Sequence, residues 1–511
     1  MTSAAPSTDP ERRPPLGAGP ADLRAEPAAD LRTGAVRGVL WAAASLGATR
    51  LALFVSTLIL ARLLVPEDFG TVAAAMTVVT YFEVALDLGL GAALIYEQEK
   101  GHSARVQTAF TLNVAFSVLL ALVGILLAGP LAGFFGVPDE TPLFRALACY
   151  LVLRGIGQVN DAVLRRDLRF RRRAALDGAR AVVRAAVSIT LALNGADAWA
   201  IAWGILAGEV AAVVVGFTLT RFRPTFELDV RAGRALLTFG GGVVGLKVVS
   251  EIGLNADYLV VGGRLGPEAL GYYTMAYRLP ELVIANALWV FSTVAYPVYS
   301  RARTLGVDAF KNAMLRALHL VTLFGFPAGV GLAVVAQDAV HVLFSERWAA
   351  AAPAMAVLAL ASGIGAVGYA SGDIFPAAGR PHFLLALNTP IVVLLVVGYF
   401  FAAPHGIVAV AAVHLAVSVL YGALRLPLAN RLVRGTMREA VRAMRPGVVV
   451  SLGVLAGALP VRLLTETGPA GLGLTIAAGT AGGALALAAV DRWVFRDVAT
   501  LVRARTPGRS G

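Results

Sequence analysis

Six basic side chains, Arg50, Arg154, Arg180, Arg184, Lys247 and Arg278, stand inside runs that are otherwise apolar. A charge at the centre of a bilayer costs ~2.5–3.5 kcal/mol, so six facing lipid would cost ~15–20 kcal/mol, more than the net stability of a typical domain. They must therefore face protein or water. A wet, cationic chamber shared by several runs suits an anionic ligand. Phosphate is the favoured anion, because a guanidinium offers paired planar donors to its oxygens and never loses its charge.

Carboxylates occupy the same runs: Glu83, Asp87, Asp161, Asp177, Glu209, Glu251, Asp257, Glu281 and Asp373. Local pairing accounts for Lys247 with Glu251 four residues on, and for Arg278 with Glu281 and Asp177 with Arg180 three apart. It does not account for Arg50, Arg154 or Arg184, which have no acid at those spacings. Glu83 and Asp87 have two readings: counter-ions for Arg50 on the preceding run, or, with Asp257, carboxyls held protonated by desolvation and used for ion coupling.

The runs that must position these groups make up most of the chain. Of 511 residues, 58% are hydrophobic and 15% charged, with mean hydropathy +0.73. An ordinary soluble domain carries roughly 25% charged residues. The formal charge of +12 does not indicate nucleic acid, because aromatics are few and Lys and Arg cluster between apolar runs, as topology signals do. Cys149 is the sole cysteine and excludes an intrachain disulfide. The six histidines show no metal-ligand spacing, and no nucleophile–base–acid set can be assembled. No catalytic residue, metal or cofactor is expected, and the chain reads as a transporter rather than an enzyme.

Residues 1–35, rich in Pro, Ala and charge, read as a disordered tail. From there to residue 490, fourteen apolar stretches of ~20 residues follow one another. Every second loop is basic: "RRDLRFRRR" (165–173), "RFRPTFELDVRAGR" (221–234), "SRARTLGVDAFKNAMLR" (300–316) and the stretch from Arg425 to Arg445. The intervening loops are short and nearly bare. Short cytoplasmic loops keep an excess of Lys and Arg, so both termini are expected in the cytoplasm of a plasma-membrane protein.

Two phrases repeat. "RLLVPEDFG" (62–70) aligns with "RLGPEALG" (264–271), matching Pro66, Glu67 and Gly70 to Pro267, Glu268 and Gly271; "RGIGQV" (154–159) aligns with "SGIGAV" (362–367). Proline followed by an acid suits the first turn of a helix leaving a corner. Six spans separate the copies, an even number, so the repeat is parallel. The expected fold is all-α and integral to the membrane: about 14 transmembrane helices in two parallel six-helix lobes (36–223 and 234–432), two additional C-terminal helices (444–492) and a cytoplasmic tail (493–511). Transporters of this kind place substrate between their halves.

Other signals carry less. "GGGVVG" (240–245) fits a nucleotide-binding pattern but opens a span without a preceding strand, and the pairs Gly204/Gly208 and Gly479/Gly483 read as helix-packing positions. Tyr272, Tyr273, Tyr277, Tyr296 and Tyr299 read as an interfacial belt, and His319 and His414 as packed or interfacial.

The phrases "LARLLVPEDFG", "DLGLGAALI" (87–95), "LRFRRRA" (168–174) and "LGPEALGYYTMAYRLPE" (265–281) resemble the Wzx-type, in particular WzxC-like, polysaccharide flippases of the multidrug/oligosaccharidyl-lipid/polysaccharide exporter superfamily, over roughly residues 41–432. The resemblance implies a V-shaped central cavity and movement of a polyprenyl-diphosphate-linked oligosaccharide from the inner to the outer leaflet by alternating access, for exopolysaccharide or cell-wall polymer synthesis. It places substrate binding on Arg50, Arg154, Arg184, Lys247 and Arg278. Partners would be the lipid-linked glycan, membrane lipid, and glycosyltransferases and polymerase of the same pathway. A multidrug or metabolite exporter is the rival within the class, which the surplus of mid-span arginine opposes. A membrane glycan polymerase or ligase is the rival outside it, and the short outer loops oppose that.

Overall fold

The computed structural model describes residues 47, 49–86, 102–167, 169–226 and 230–490. Both predicted tails and Asp87 lie outside this set, and Lys247 is placed by its backbone alone, within a helix. All regular structure among the described residues is helical. Nine helices there are long and apolar enough to cross a membrane, making the chain a multi-pass membrane protein. Their flanks bear large exposed apolar side chains such as Leu126 (79% exposed), Leu463 and Leu485. Such a belt would be an aggregation liability in water and matches hydrocarbon instead.

The N-terminal half comprises α1 (49–63), α2 (Pro66–Leu86), α3 (His102–Phe134), the short α4 (Thr141–Ala148), α5 (Tyr150–Arg166), α6 (Phe170–Leu193) and α7 (Asp197–Thr220). The C-terminal half opens with α8 (Val230–Pro280), a π-helical turn (Glu281–Ala285) and α9 (Asn286–Thr304), then α10 (Val307–Ala339), α11 (Ala352–Gly372), α12 (Pro381–Ala402) and α13 (Ile407–Leu432). Last come α14 (Met437–Leu464) and α15 (Pro469–Val490). In the first half α3, α5, α6 and α7 pack in sequence; in the second, α10 packs on α11, α11 on α13 and α12 on α13; α2 and α8 join the halves.

The repeated corner forms as its residues dictate. Pro66 opens α2 with Glu67 and Asp68 in the first turn, and the Asp68 carboxylate accepts the Val65 N–H at 3.0 Å, satisfying a donor the helix leaves orphaned. In the second copy Gly266 adopts φ +85°, ψ −179° before Pro267, a conformation cheap only for glycine. It divides α8 into two helices meeting at a corner. The two corners then meet each other: a Cβ on Gly70 would overlap the Pro267 carbonyl, and one on Gly271 would overlap the Pro66 carbonyl. Each copy of the phrase thus clears space for the other.

The second repeat behaves alike. A Cβ on Gly155 would press into Ser117 and the Asn113 carbonyl of α3, and one on Gly363 into the Gly325 carbonyl and Gly329 of α10. In both halves the repeated glycine lets its helix approach the preceding long one.

Around the paired corners the halves are closed by a continuous core. Trp348 is fully buried; its indole N–H donates to the Ala61 carbonyl at 2.8 Å, and its ring meets Phe69 edge-on at 5.2 Å. Arg62 donates to the Val342 carbonyl at 3.0 Å. Arginines of the bare loops are likewise engaged: Arg264 lies 3.8 Å over the Phe400 ring, and Arg462 pairs with Asp338 at 2.5 Å.

Two boundaries differ from expectation. The final helix pair begins at Met437, not 444, because Thr436 and Glu439 form a reciprocal capping box. Lys311 reaches Glu439 at 3.4 Å, so with Arg462–Asp338 an ion pair pins α14 to α10 at each end. Arg425, expected in a basic loop, lies within α13, which runs to Leu432.

Candidate functional site

Arg184 is placed by the contact of α6 with α7. Gly204 lies against Ser188 and the Arg184 carbonyl, and Gly208 against the Arg180 carbonyl and the Arg184 Cβ. A Cβ at either position would push α6 away. The glycine pair is a packing device, as its spacing suggests, and the segment it seats carries two of the arginines that stand inside apolar runs, Arg180 and Arg184.

Their surroundings differ sharply. Glu209, 2% exposed, accepts from Arg180 through Nε at 2.8 Å and Nη2 at 3.2 Å. Arg180 also donates to Asp177 at 3.0 Å, the pairing its spacing suggested. Arg154 donates through Nε to Glu83 at 2.6 Å and lies 3.6 Å from Glu209. Arg154 and Arg180 are therefore committed to carboxylates within the N-terminal half. Arg184 is not: among the described residues its guanidinium has no hydrogen bond or ion pair.

Across the halves, Glu281 takes Arg50 on one oxygen at 3.6 Å and Arg278 on the other at 3.9 Å. This corrects the pairing of Arg50 with Glu83, which Arg154 occupies. Glu281 opens the π-helical turn after Pro280, whose last bond runs from the Asn286 N–H to the Glu281 carbonyl. Such turns shift side chains out of α-helical register and recur at functional sites. The Arg278 Nε is buried without a hydrogen-bond partner among the described residues. Arg50, Arg278 and Glu281 all keep more than a third of their side-chain exposure, within helices whose polar groups cannot be spent on lipid.

Asp257 lies deeper, 1% exposed. Its Oδ2 accepts from Tyr277 at 2.7 Å and Tyr273 at 3.1 Å, and its Oδ1 from the Tyr258 N–H at 2.9 Å. His414 Nδ1 sits 3.3 Å from the Tyr277 hydroxyl and 2.7 Å from that of Tyr399. Tyr273 and Tyr277 are thus not part of an interfacial belt; a buried carboxylate needs donors, and the aromatic cluster supplies them. Tyr299 is also buried, donating to the Ala370 carbonyl at 3.0 Å.

A further cation escaped sequence reasoning. Arg425 donates to the Tyr421 hydroxyl at 3.0 Å and packs over Gly372, while its Nε is buried without a partner among the described residues. Asp373 nearby accepts from Ser292 at 2.6 Å. The available signal was the four-residue spacing of Tyr421 and Arg425 in a run that stays apolar past residue 425. "GGGVVG" lies inside α8, where no phosphate-cradling loop exists. No group of three or more metal-ligating side chains occurs among the described residues. What the described residues bring together is guanidinium groups from both halves around one shared carboxylate, Glu281.

The family described as polysaccharide biosynthesis protein matches residues 59–353. The succinoglycan biosynthesis transport protein ExoT of Rhizobium meliloti (strain 1021) is 29% identical over 64% of this chain and 66% of its own. The teichuronic acid biosynthesis protein TuaB of Bacillus subtilis (strain 168) is 24% identical over 66% and 71%, and the lipopolysaccharide biosynthesis protein WzxC of Escherichia coli (strain K12) 22% over 65% and 67%. The chain spans about two thirds of the length of these relatives. Among solved structures, the lipid II flippase MurJ in an inward closed conformation superposes with a TM-score of 0.72 at 13% identity, covering 90% of this chain and 99% of that one. An inward-facing multidrug resistance MATE family transporter gives 0.59 at 16%, covering 76% and 98%. These likenesses show the fold.

Proposed function

The chain belongs to the polysaccharide biosynthesis protein family, and from that premise we propose that it is a flippase carrying a polyprenyl-diphosphate-linked oligosaccharide from the inner to the outer leaflet of the bacterial plasma membrane. The observation that carries this reading is the sharing of one carboxylate, Glu281, by guanidinium groups from the two halves, Arg50 at 3.6 Å and Arg278 at 3.9 Å, with Arg184 left without an ion pair among the described residues. More guanidinium groups than carboxylates meet there, and a diphosphate among them gains charge-assisted hydrogen bonds. A pocket for organic cations would present the opposite charge.

In this reading the fourteen spans form two six-helix lobes, 36–223 and 234–432, with the helix pair that begins at Met437 appended and both termini cytoplasmic. The paired corners at Pro66 and Pro267 lie on the outer side and close it. Arg184 and Arg278 hold the diphosphate, Arg50 and Lys247 flank it, and Arg154 frames the wall while held by Glu83 and Glu209. The glycan fills the vestibule between lobes, the lipid tail stays in the bilayer, and rocking of the lobes exposes the head group to the other side. Asp257, ringed by hydroxyl donors, is the ion-coupling carboxyl. Glu83 is better used holding Arg154, and Asp87 keeps its candidate role. Glycosyltransferases and the polymerase of the same pathway supply and consume the cargo.

The test is binding of geranylgeranyl diphosphate, against geranylgeraniol, to the purified protein in detergent. Each charge-assisted contact is worth ~1.5–3 kcal/mol, or about 10- to 100-fold. The diphosphate should bind at least tenfold tighter than the alcohol, and Arg184→Ala or Arg278→Ala should erase the difference. Equal affinity for diphosphate and alcohol would refute the anion site.

A further inference from the structure

We infer that Glu281 is a built-in competitor for the cargo's phosphate, occupying guanidinium groups that the diphosphate must capture and so setting how readily cargo is released. The inference rests on the diphosphate reading above. Glu281 divides its carboxylate between Arg50, 3.6 Å away in α1, and Arg278, 3.9 Å away in α8. One anion thus spans two cations from the two halves, the arrangement a phosphate would adopt. Both contacts are longer than a well-made charge-assisted hydrogen bond of about 2.7–2.9 Å. Both arginines keep donors to spare, and the Arg278 Nε has no partner among the described residues. The carboxylate holds the place without saturating it.

Its position allows it to yield. Glu281 begins a π-helical turn directly after Pro280, a local irregularity in an otherwise continuous helix path, and it is 44% exposed. Compare Glu209, which is 2% exposed and grips Arg180 at 2.8 and 3.2 Å: that carboxylate is fixed, whereas Glu281 can turn aside. A diphosphate entering at Arg50 and Arg278 meets Glu281 as a like charge on the same guanidinium groups. Cargo and carboxylate therefore exclude one another, and the return of Glu281 to Arg278 expels the cargo. Without it the site would bind diphosphate more tightly and release it more slowly.

The experiment uses the same geranylgeranyl diphosphate probe on the full-length protein, together with polymer export in cells. Glu281→Gln should bind the probe about tenfold tighter than the unaltered protein while exporting polymer more slowly, a lower half-saturation with a lower maximal rate. Glu281→Asp, too short to span both arginines, should tighten binding by a smaller factor, and it decides the matter if the glutamine variant does not fold. Glu268→Gln, whose carboxylate accepts from Tyr272 at 3.1 Å and has no ion pair among the described residues, should leave binding unchanged. Unchanged or weaker binding by the Glu281 variants, with Arg184→Ala still losing the probe, would overturn the role of Glu281 and leave the anion site standing. Failure of the unaltered protein to prefer diphosphate over alcohol would overturn both.

Discussion

At the residue scale, the arginines that look alike in the sequence separate into two kinds. Arg154 and Arg184 both lack an acid three or four positions away, yet Arg154 is bound by Glu83 and Glu209 from neighbouring helices and Arg184 by none among the described residues. Local spacing reports only partners on the same helix, so Arg180 with Asp177 was legible and Arg154 with Glu83, 71 positions distant, was not. The distinction has a measurable consequence. Arg154→Ala strands the Glu83 carboxylate, and because both side chains retain about a quarter of their exposure, the loss should be about 1–3 kcal/mol rather than the ~3–5 kcal/mol of a fully buried pair. It should appear as a lowered thermal midpoint in detergent. Arg184→Ala removes an uncompensated charge and should leave the midpoint unchanged or raised while abolishing polymer export. The opposite pattern would make Arg184 structural and Arg154 the free ligand.

At the element scale, the corner phrases were legible as helix starts because Pro, an acid and Gly carry local geometry in their own chemistry. That the two corners touch each other was not legible, since contact between positions 201 apart depends on how the halves dock. Likewise, Tyr273 and Tyr277 match an interfacial belt by composition, and only the fold turns them onto Asp257. The reciprocal clearance at Gly70 and Gly271 makes a specific prediction. Gly70→Ala and Gly271→Ala each force apart backbone that cannot yield as a side chain can, at a cost of about 1–3 kcal/mol or more. Once one substitution has parted the helices, the second finds room, so the double variant should lose clearly less thermal stability than the two single losses added together. Additive losses would show that the corners do not share one contact.

At the scale of the whole molecule, composition and loop charge made the membrane class readable, because lipid imposes a uniform rule on every span. The halves repeat one packing scheme, with Gly155 and Gly363 in equivalent roles, and they meet in a core around Trp348. Cationic groups from each half, Arg50 and Arg278, meet on one carboxylate, Glu281. A cargo held there would be moved by relative motion of the halves and not by chemistry on a bond. The direct measurement is made in cells: deplete the protein, label undecaprenyl-diphosphate-linked glycans, and determine how much is shielded from a membrane-impermeant probe applied outside. The account predicts that a lipid-linked glycan accumulates in the shielded, cytoplasmic leaflet while surface polymer falls. Normal surface polymer with no accumulated intermediate, in cells lacking a redundant homologue, would contradict it.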